Sequence, residues 1–218
     1  MDLFLFKAFE PETRFLFFAV VVVVTSNVVL HELAHGWMAL RLGDRTPLEL
    51  GHMTGNPLVH MGPWSLGALL VIGIAWGAMP VNPSRMRGRH AEAWVSGAGP
   101  MMNLLIALVT LTALGIWTSV AGLADHGFEQ NLQRFLWIFG YFNLVLMVFN
   151  LAPIPPLDGS GILANLSPRY RHWMWDHEHL TPAMFIGYFI LIGALEQTPF
   201  GLFGNAAGIA QAYLDLFP

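Results

Sequence analysis

The chain has 218 residues, 55% of them hydrophobic and only 11% charged, with a formal net charge of −4 and a mean hydropathy of +0.55. A soluble domain of this length carries about 25% charged residues, so these charges are too few to coat a soluble surface, and the composition is that of an integral membrane protein. The weak net charge gives no reason to expect a nucleic acid partner, and the absence of cysteine excludes disulfides and thiolate metal sites, leaving His and carboxylate side chains as metal ligands.

In chain order, Phe15 to Leu30 carries no charge and predicts a transmembrane helix running on to about Leu42, since about 20 apolar residues cross the hydrocarbon core. The flank before it mixes Lys7 and Arg14 with Asp2, Glu10 and Glu12, a poor match to a secretory signal. Pro47 to Met61 is rich in Gly, Thr, Asn and Pro; it predicts either a short β-hairpin turning at Thr54-Gly55-Asn56-Pro57 or an ordinary surface loop. Trp64 to Met79 is shorter, Gly-rich and bounded by Pro63 and Pro80. Ala93 to Ala124 is uncharged and long enough to span with tilt. Phe135 to Leu157 is also uncharged, but Pro153, Pro155 and Pro156 end its helix near Ala152. Leu180 to Leu195 and Gln197 to Leu214 are two weaker apolar stretches. The expected fold is an all-α polytopic bundle of about 4–6 membrane segments, with a short hairpin after the first helix and a Pro-broken helix further on. One membrane-embedded domain is expected over 1–218, with its core at 15–165 and membrane-associated helices at 166–218.

Within the first apolar segment stands His31-Glu-Leu-Ala-His35. Four-residue spacing stacks His31 and His35 on one helix face, where both imidazoles can bind one zinc ion. Glu32 is then placed to act as a general base on an attacking water. Two helical histidines satisfied by hydrogen bonds are the plain alternative, which weakens inside a membrane, where ionisable side chains are costly. Two His leave zinc short of the three protein ligands of a catalytic site. The leading intramembrane carboxylate is Asp158, in Asn150-Leu-Ala-Pro-Ile-Pro-Pro-Leu-Asp-Gly159, where the prolines unwind the helix and Gly159 permits a tight turn. Equally, that segment can be a helix end emerging into the headgroups with Asp158 solvated. In Gly97-Ala-Gly-Pro-Met-Met-Asn103, close helix packing is the simpler account, and a contact of Asn103 with substrate or cavity wall the functional one.

Several such elements in this order resemble the site-2 protease family of intramembrane zinc metalloproteases, in particular short bacterial-type members without PDZ or CBS domains. The resemblance runs from about Leu30 to Leu163 and rests on His31-Glu-Leu-Ala-His35, the Asn56-Pro-Leu-x-His60 hairpin, Pro80-Val-Asn-Pro83 before an Arg cluster, Gly99-Pro-x-x-Asn103, and Asn150-x-x-Pro153-x-Pro155-x-Leu-Asp158-Gly159. It implies one zinc ion per chain held by His31, His35 and Asp158, with Glu32 as catalytic base. It also implies that the hairpin contacts an extended substrate, and that Asn103 and Asn150 contact substrate or support the site. The implied activity is hydrolysis of peptide bonds in or near transmembrane segments, in a multi-pass protein of a prokaryotic cell membrane. The expected partners are a transmembrane protein substrate and the lipid bilayer. After about Ser167 no motif is apparent. The alternatives are a catalytically silent protein that binds membrane segments, against which the intact Glu32 speaks, and a metal transporter, which would show paired broken helices.

Lys and Arg divide seven to three between the two sides whether Trp64–Met79 crosses or re-enters, so charge does not choose the topology. Depth does: His31 lies about 24 Å along a helix from Phe15. A ligand following the Phe135 segment reaches that depth only if this segment runs parallel to the first. With Ala93–Ala124 antiparallel to both, Trp64–Met79 must re-enter, which places the N-terminus outside and Arg85, Arg87 and Arg89 in the cytosol. Asn27, one turn before His31, either supports the site or bonds a neighbouring helix. The group His172, Asp176, His177, Glu178 and His179 reads as a solvated loop in preference to a second metal site, and Trp173 and Trp175 as an interfacial belt.

Overall fold

A computed structural model describes residues 3–217, leaving Asp2 of the N-terminal flank outside. Helix α1 spans Arg14–Arg41. Its Val20–Val24 run has modest intrinsic helix propensity, but in an apolar surround the helix satisfies every backbone group within the segment. Among the described residues, four segments are long and apolar enough to cross a membrane: α1, α4 (Ala91–Ala121), α5 (Gly127–Asn150) and Glu178–Leu195, a short turn leading into α8 (Thr181–Leu195). The chain is a multi-pass integral membrane protein.

No strand occurs among the described residues, so the expected β-hairpin is not formed. Its residues instead make a four-residue helix α2 (Thr46–Glu49), a turn, and the start of α3 (Pro57–Ile72). The cause is local: Asn56 Oδ1 accepts the Leu58 N–H at 3.0 Å, and Pro57 occupies the first helical position, where its missing N–H costs nothing. The Asn-Pro pair that reads as a turn is a helix cap.

α3 is kinked at Gly62 (φ 66°), just before Pro63, and ends at left-handed Gly73 (φ 78°), against which Phe4 packs. Phe4 lies in the turn just before α1, so α3 has travelled back towards the start of α1. Residues 74–82 then return as extended backbone. Trp76 N–H donates to Ser65 Oγ (2.8 Å), Ala78 N–H to the His60 carbonyl (3.0 Å) and Asn82 N–H to Asp44 Oδ2 (2.6 Å), beyond the far end of α1. This excursion, inward as a helix and back as extended chain, begins and ends at one end of α1, the re-entrant course expected for Trp64–Met79.

α4 runs antiparallel to α1, as the pairs His35–Val95 and His31–Asn103 require, and α5 antiparallel to α4, as Asn103–Asn143 and Leu111–Gly140 require, so α5 is parallel to α1. α4 and α5 meet closely at Gly140, where an added Cβ would lie 2.5 Å from Leu111 Cγ. The prolines after α5 break the helix, and α6 (Asp158–Leu166) starts again, followed by α7 (Pro168–Asp176). α9 (Leu202–Leu214) packs Ala206 and Ala210 against Ala107, Leu111 and Leu144. α8 has no buried residue and leans on Phe149 through Phe185, Tyr188 and Phe189.

Candidate metal centre

His31 and His35 project from one face of α1, and the first residue of α6 brings Asp158 to them. The two Nε2 atoms are 3.0 Å apart, Asp158 Oδ2 is 3.0 Å from His31 Nε2, and Oδ1 is 3.3 Å from His35 Nε2. The other ring nitrogens are engaged: His31 Nδ1 lies 2.6 Å from Asn103 Oδ1 and His35 Nδ1 lies 2.6 Å from the Val95 carbonyl. A carbonyl only accepts, so each Nδ1 carries a proton, and in the neutral ring Nε2 is then the lone pair left for a metal. With both rings neutral, two imidazole lone pairs and a carboxylate converge on one point, and Asp158 Oδ2 is buried without a hydrogen-bond partner. Such a donor set suits a metal cation at its centre. The spacing is close to that of zinc: ligand bonds of about 2.0–2.2 Å in a tetrahedron separate ligand atoms by about 3.3–3.6 Å. These are the atoms of the one three-residue metal-ligand cluster among the described residues. Residues 172–179 form no such cluster there; His177 Nδ1 donates to the carbonyl of Trp173.

Glycine makes the approach of α4 possible. A Cβ on Gly99 would stand 2.5 Å from His31 Nε2 and from His35 Nε2. On the opposite side, the extended segment crosses α1 at Gly77, where a Cβ would lie 2.6 Å from Val28 Cγ1 and 2.8 Å from Glu32 Oε1. Between them lies a cavity of about 430 Å³, bounded by His31, Glu32, His35, Gly77, Asn150 and Asp158 among others. Gly159 sits where any Cβ would collide with the Leu151 carbonyl, which fixes the tight entry of Asp158.

The structure thus brings His31, Glu32, His35 and Asp158 together. Asn103 is fully buried and holds His31, while Asn150 lines the cavity and bonds its own helix through Nδ2 to the Leu146 carbonyl (3.0 Å). Of the two roles expected of Asn27 the structure shows the bond to a neighbouring helix: Asn143 Nδ2 donates to Asn27 Oδ1, and Asn27 reaches His31 only through Asn143 and Asn103. Sequence reasoning missed Asn143, the middle of that chain; an uncharged polar residue inside an apolar span was the available signal. It missed the Val95 carbonyl as well, for which no side-chain signal exists.

Fold and site together define a polytopic membrane protein with a buried two-histidine, one-carboxylate centre and an adjacent glutamate, the class of the zinc hydrolases. The sequence model of peptidase family M50 matches residues 118–194, reaching beyond the last motif apparent in the sequence. "Putative zinc metalloprotease YwhC" of Bacillus subtilis (strain 168) is 36% identical over 151 residues, which cover 68% of this chain and 68% of that protein. "Putative zinc metalloprotease Rip2" of Mycolicibacterium smegmatis is 32% identical over 174 residues (76% of this chain, 62% of that protein), and Rip2 of Mycobacterium tuberculosis (strain H37Rv) is 31% identical over 194 residues (81% and 66%). The chain therefore spans about two thirds of the length of these relatives. No solved structure matches. The chain belongs to peptidase family M50, the site-2 protease family, and its enzymatic class is zinc metalloendopeptidase.

Proposed function

We propose that this protein hydrolyses peptide bonds in or next to transmembrane segments of membrane-protein substrates, working in a prokaryotic cell membrane as one domain over 1–218. The observation that carries this reading is the convergence of the two Nε2 atoms and a carboxylate beside Glu32, on a cavity wall made by membrane-spanning helices. His31, His35 and Asp158 hold the zinc ion, with Asn103 fixing the His31 ring. When bound there, zinc supplies a Lewis acid for the scissile carbonyl and favours water as a nucleophile near neutral pH. Glu32 takes the proton of the attacking water and passes it to the leaving amine. Asn150 contributes to the cavity wall that the substrate meets.

The substrate must unwind to expose a carbonyl. Residues 74–82 favour that. Trp76 and Ala78 spend their N–H groups on α3, and alternate residues along an extended chain face the other way. Gly77 and Met79 therefore offer main-chain groups on the cavity side for strand pairing with an extended substrate. This segment takes the role expected of the hairpin.

The test uses purified protein in nanodiscs with a panel of fluorophore–quencher peptides, each an apolar span of about 20 residues with a central Gly-Pro or Asn-Pro break. The parent should cleave at least one peptide, and a zinc chelator should stop it. Glu32→Gln should lower cleavage by about 100-fold or more while one zinc per chain remains. Cleavage persisting in Glu32→Gln would remove Glu32 as the base.

A further inference from the structure

Three buried asparagines connect the metal centre to the cavity, and their polarity is fixed from both ends. The Phe139 carbonyl can only accept, so the Asn143 atom 2.8 Å from it is Nδ2. The second hydrogen of that Nδ2 goes to Asn27 Oδ1, also at 2.8 Å. Asn143 Oδ1 accepts from Asn103 Nδ2 at 2.9 Å, and Asn103 Oδ1 accepts from His31 Nδ1 at 2.6 Å. From the other end, a His31 that gives its Nε2 lone pair to zinc must keep its proton on Nδ1, which demands the same order. Turning Asn27 over would set one NH₂ group against another. Its Oδ1 is committed, and its Nδ2 is left over.

That Nδ2 has no partner, although Asn27 is 0% exposed, and Asn27 lies on the wall of the catalytic cavity, about 6 Å along α1 from His31. A buried amide donor without an acceptor is costly, and an oxygen entering the cavity relieves that cost. An unwound substrate brings the required oxygen: its main-chain carbonyls have lost their helical partners in surroundings where each must find a new one. We propose that Asn27 is a substrate-contacting residue whose Nδ2 donates to a main-chain carbonyl of the unwound segment, and that Asn143 is the positioning residue that turns this donor into the cavity. The proposal rests on the peptidase reading above.

The experiment compares the parent with Asn27→Leu and Asn27→Ala on a peptide of the panel that the parent cleaves, reading zinc per chain alongside kcat and KM. The contact exists in the bound ground state, so both variants should keep about one zinc and lose tenfold or more in kcat/KM, mainly through a higher KM. Unchanged kcat/KM with zinc retained overturns the contact, as it would if Asn27 merely holds a water. Loss of zinc in both variants also overturns it, because Asn27 would then serve the ligand sphere alone. If Leu proves too large to load zinc, the Ala variant decides. A parent that cleaves no peptide of the panel brings down the peptidase reading and this contact together, whereas a cleaving parent with equally active variants brings down the contact alone.

Discussion

The two walls of the catalytic cavity are built in opposite ways. On the wall of α1, α4 and α5, nearly every polar atom is spoken for: His31 is held by Asn103, Asn103 by Asn143, Asn143 by the Phe139 carbonyl, and His35 by the Val95 carbonyl. The facing wall, residues 74–82, is loosely tied. Its extended backbone leaves alternate groups unpaired. The difference separates two tasks. Ligand atoms must be held to within a fraction of an ångström, which needs rotamers locked by a second layer of bonds. A substrate that arrives as a helix and is cut as an extended chain needs main-chain partners that are still free.

The largest effect should come from removing a ligand on the tight wall. Asp158→Ala should reduce zinc from about one per chain to a small fraction, because two imidazoles alone do not make a stable site. Metal analysis after gel filtration reads this directly. Unchanged zinc would detach Asp158 from the centre and break the comparison at its root.

A matched pair of glycine substitutions sharpens it. Gly99→Ala puts a Cβ 2.5 Å from both Nε2 atoms, on a helix that has no room to retreat. Gly77→Ala puts one 2.8 Å from Glu32 Oε1, on a segment held by few bonds. Gly99→Ala should weaken zinc about 100-fold. Gly77→Ala should keep zinc and lose about tenfold in cleavage, as the cover shifts away from Glu32. Equal zinc loss in both would mean that the two walls are equally rigid. Smaller again is Asn103→Leu, which removes the acceptor from His31 Nδ1 and should cost between about 10-fold and 100-fold in zinc affinity, read by competition with a chromogenic chelator.

Much of the tight wall was legible in the sequence because its chemistry lies in rare residue types. His31, Glu32 and His35 announce themselves by spacing, and Asp158 by being a carboxylate among prolines in an apolar stretch. The parallel course of the first and fourth segments followed from the depth of His31 once Asp158 was taken as the third ligand. The loose wall was hard to read. Thr54-Gly55-Asn56-Pro57 satisfies a turn as well as a helix cap, and only the bond from Leu58 N–H to Asn56 Oδ1 separates the two. The approach of Gly77 to Glu32 depends on where α3 ends, which no local pattern specifies. Asn143 was overlooked because one asparagine in a membrane helix is uninformative until its partners are known.

Asp44 joins the two walls and supplies the smallest prediction. It is fully buried just beyond α1, where it accepts the Thr46 N–H (2.9 Å), the Thr46 hydroxyl (2.5 Å) and the Asn82 N–H (2.6 Å). It therefore ties the end of the helix bearing the ligands to the end of the segment that covers Glu32. Burial pushes its carboxyl up, but the Asn82 and Thr46 hydrogen bonds and the charge of Arg85 outweigh that and hold it below its ordinary value of 3.8. A folded pKa below the unfolded one means that the tie acts in full above about pH 4 and is lost as pH falls through the depressed folded value. Asp44→Asn replaces a charged acceptor by a neutral amide, which should make opening of residues 74–82 about tenfold more frequent at pH 7, read by hydrogen exchange. The gap between parent and variant should hold from pH 7 down to about 4 and close below that, as the parent carboxyl takes up its proton. A gap that persists undiminished at pH 2 would show that shape, and not charge, makes the tie. The loose wall would then be held by packing, and residues 74–82 would not be the more easily opened side.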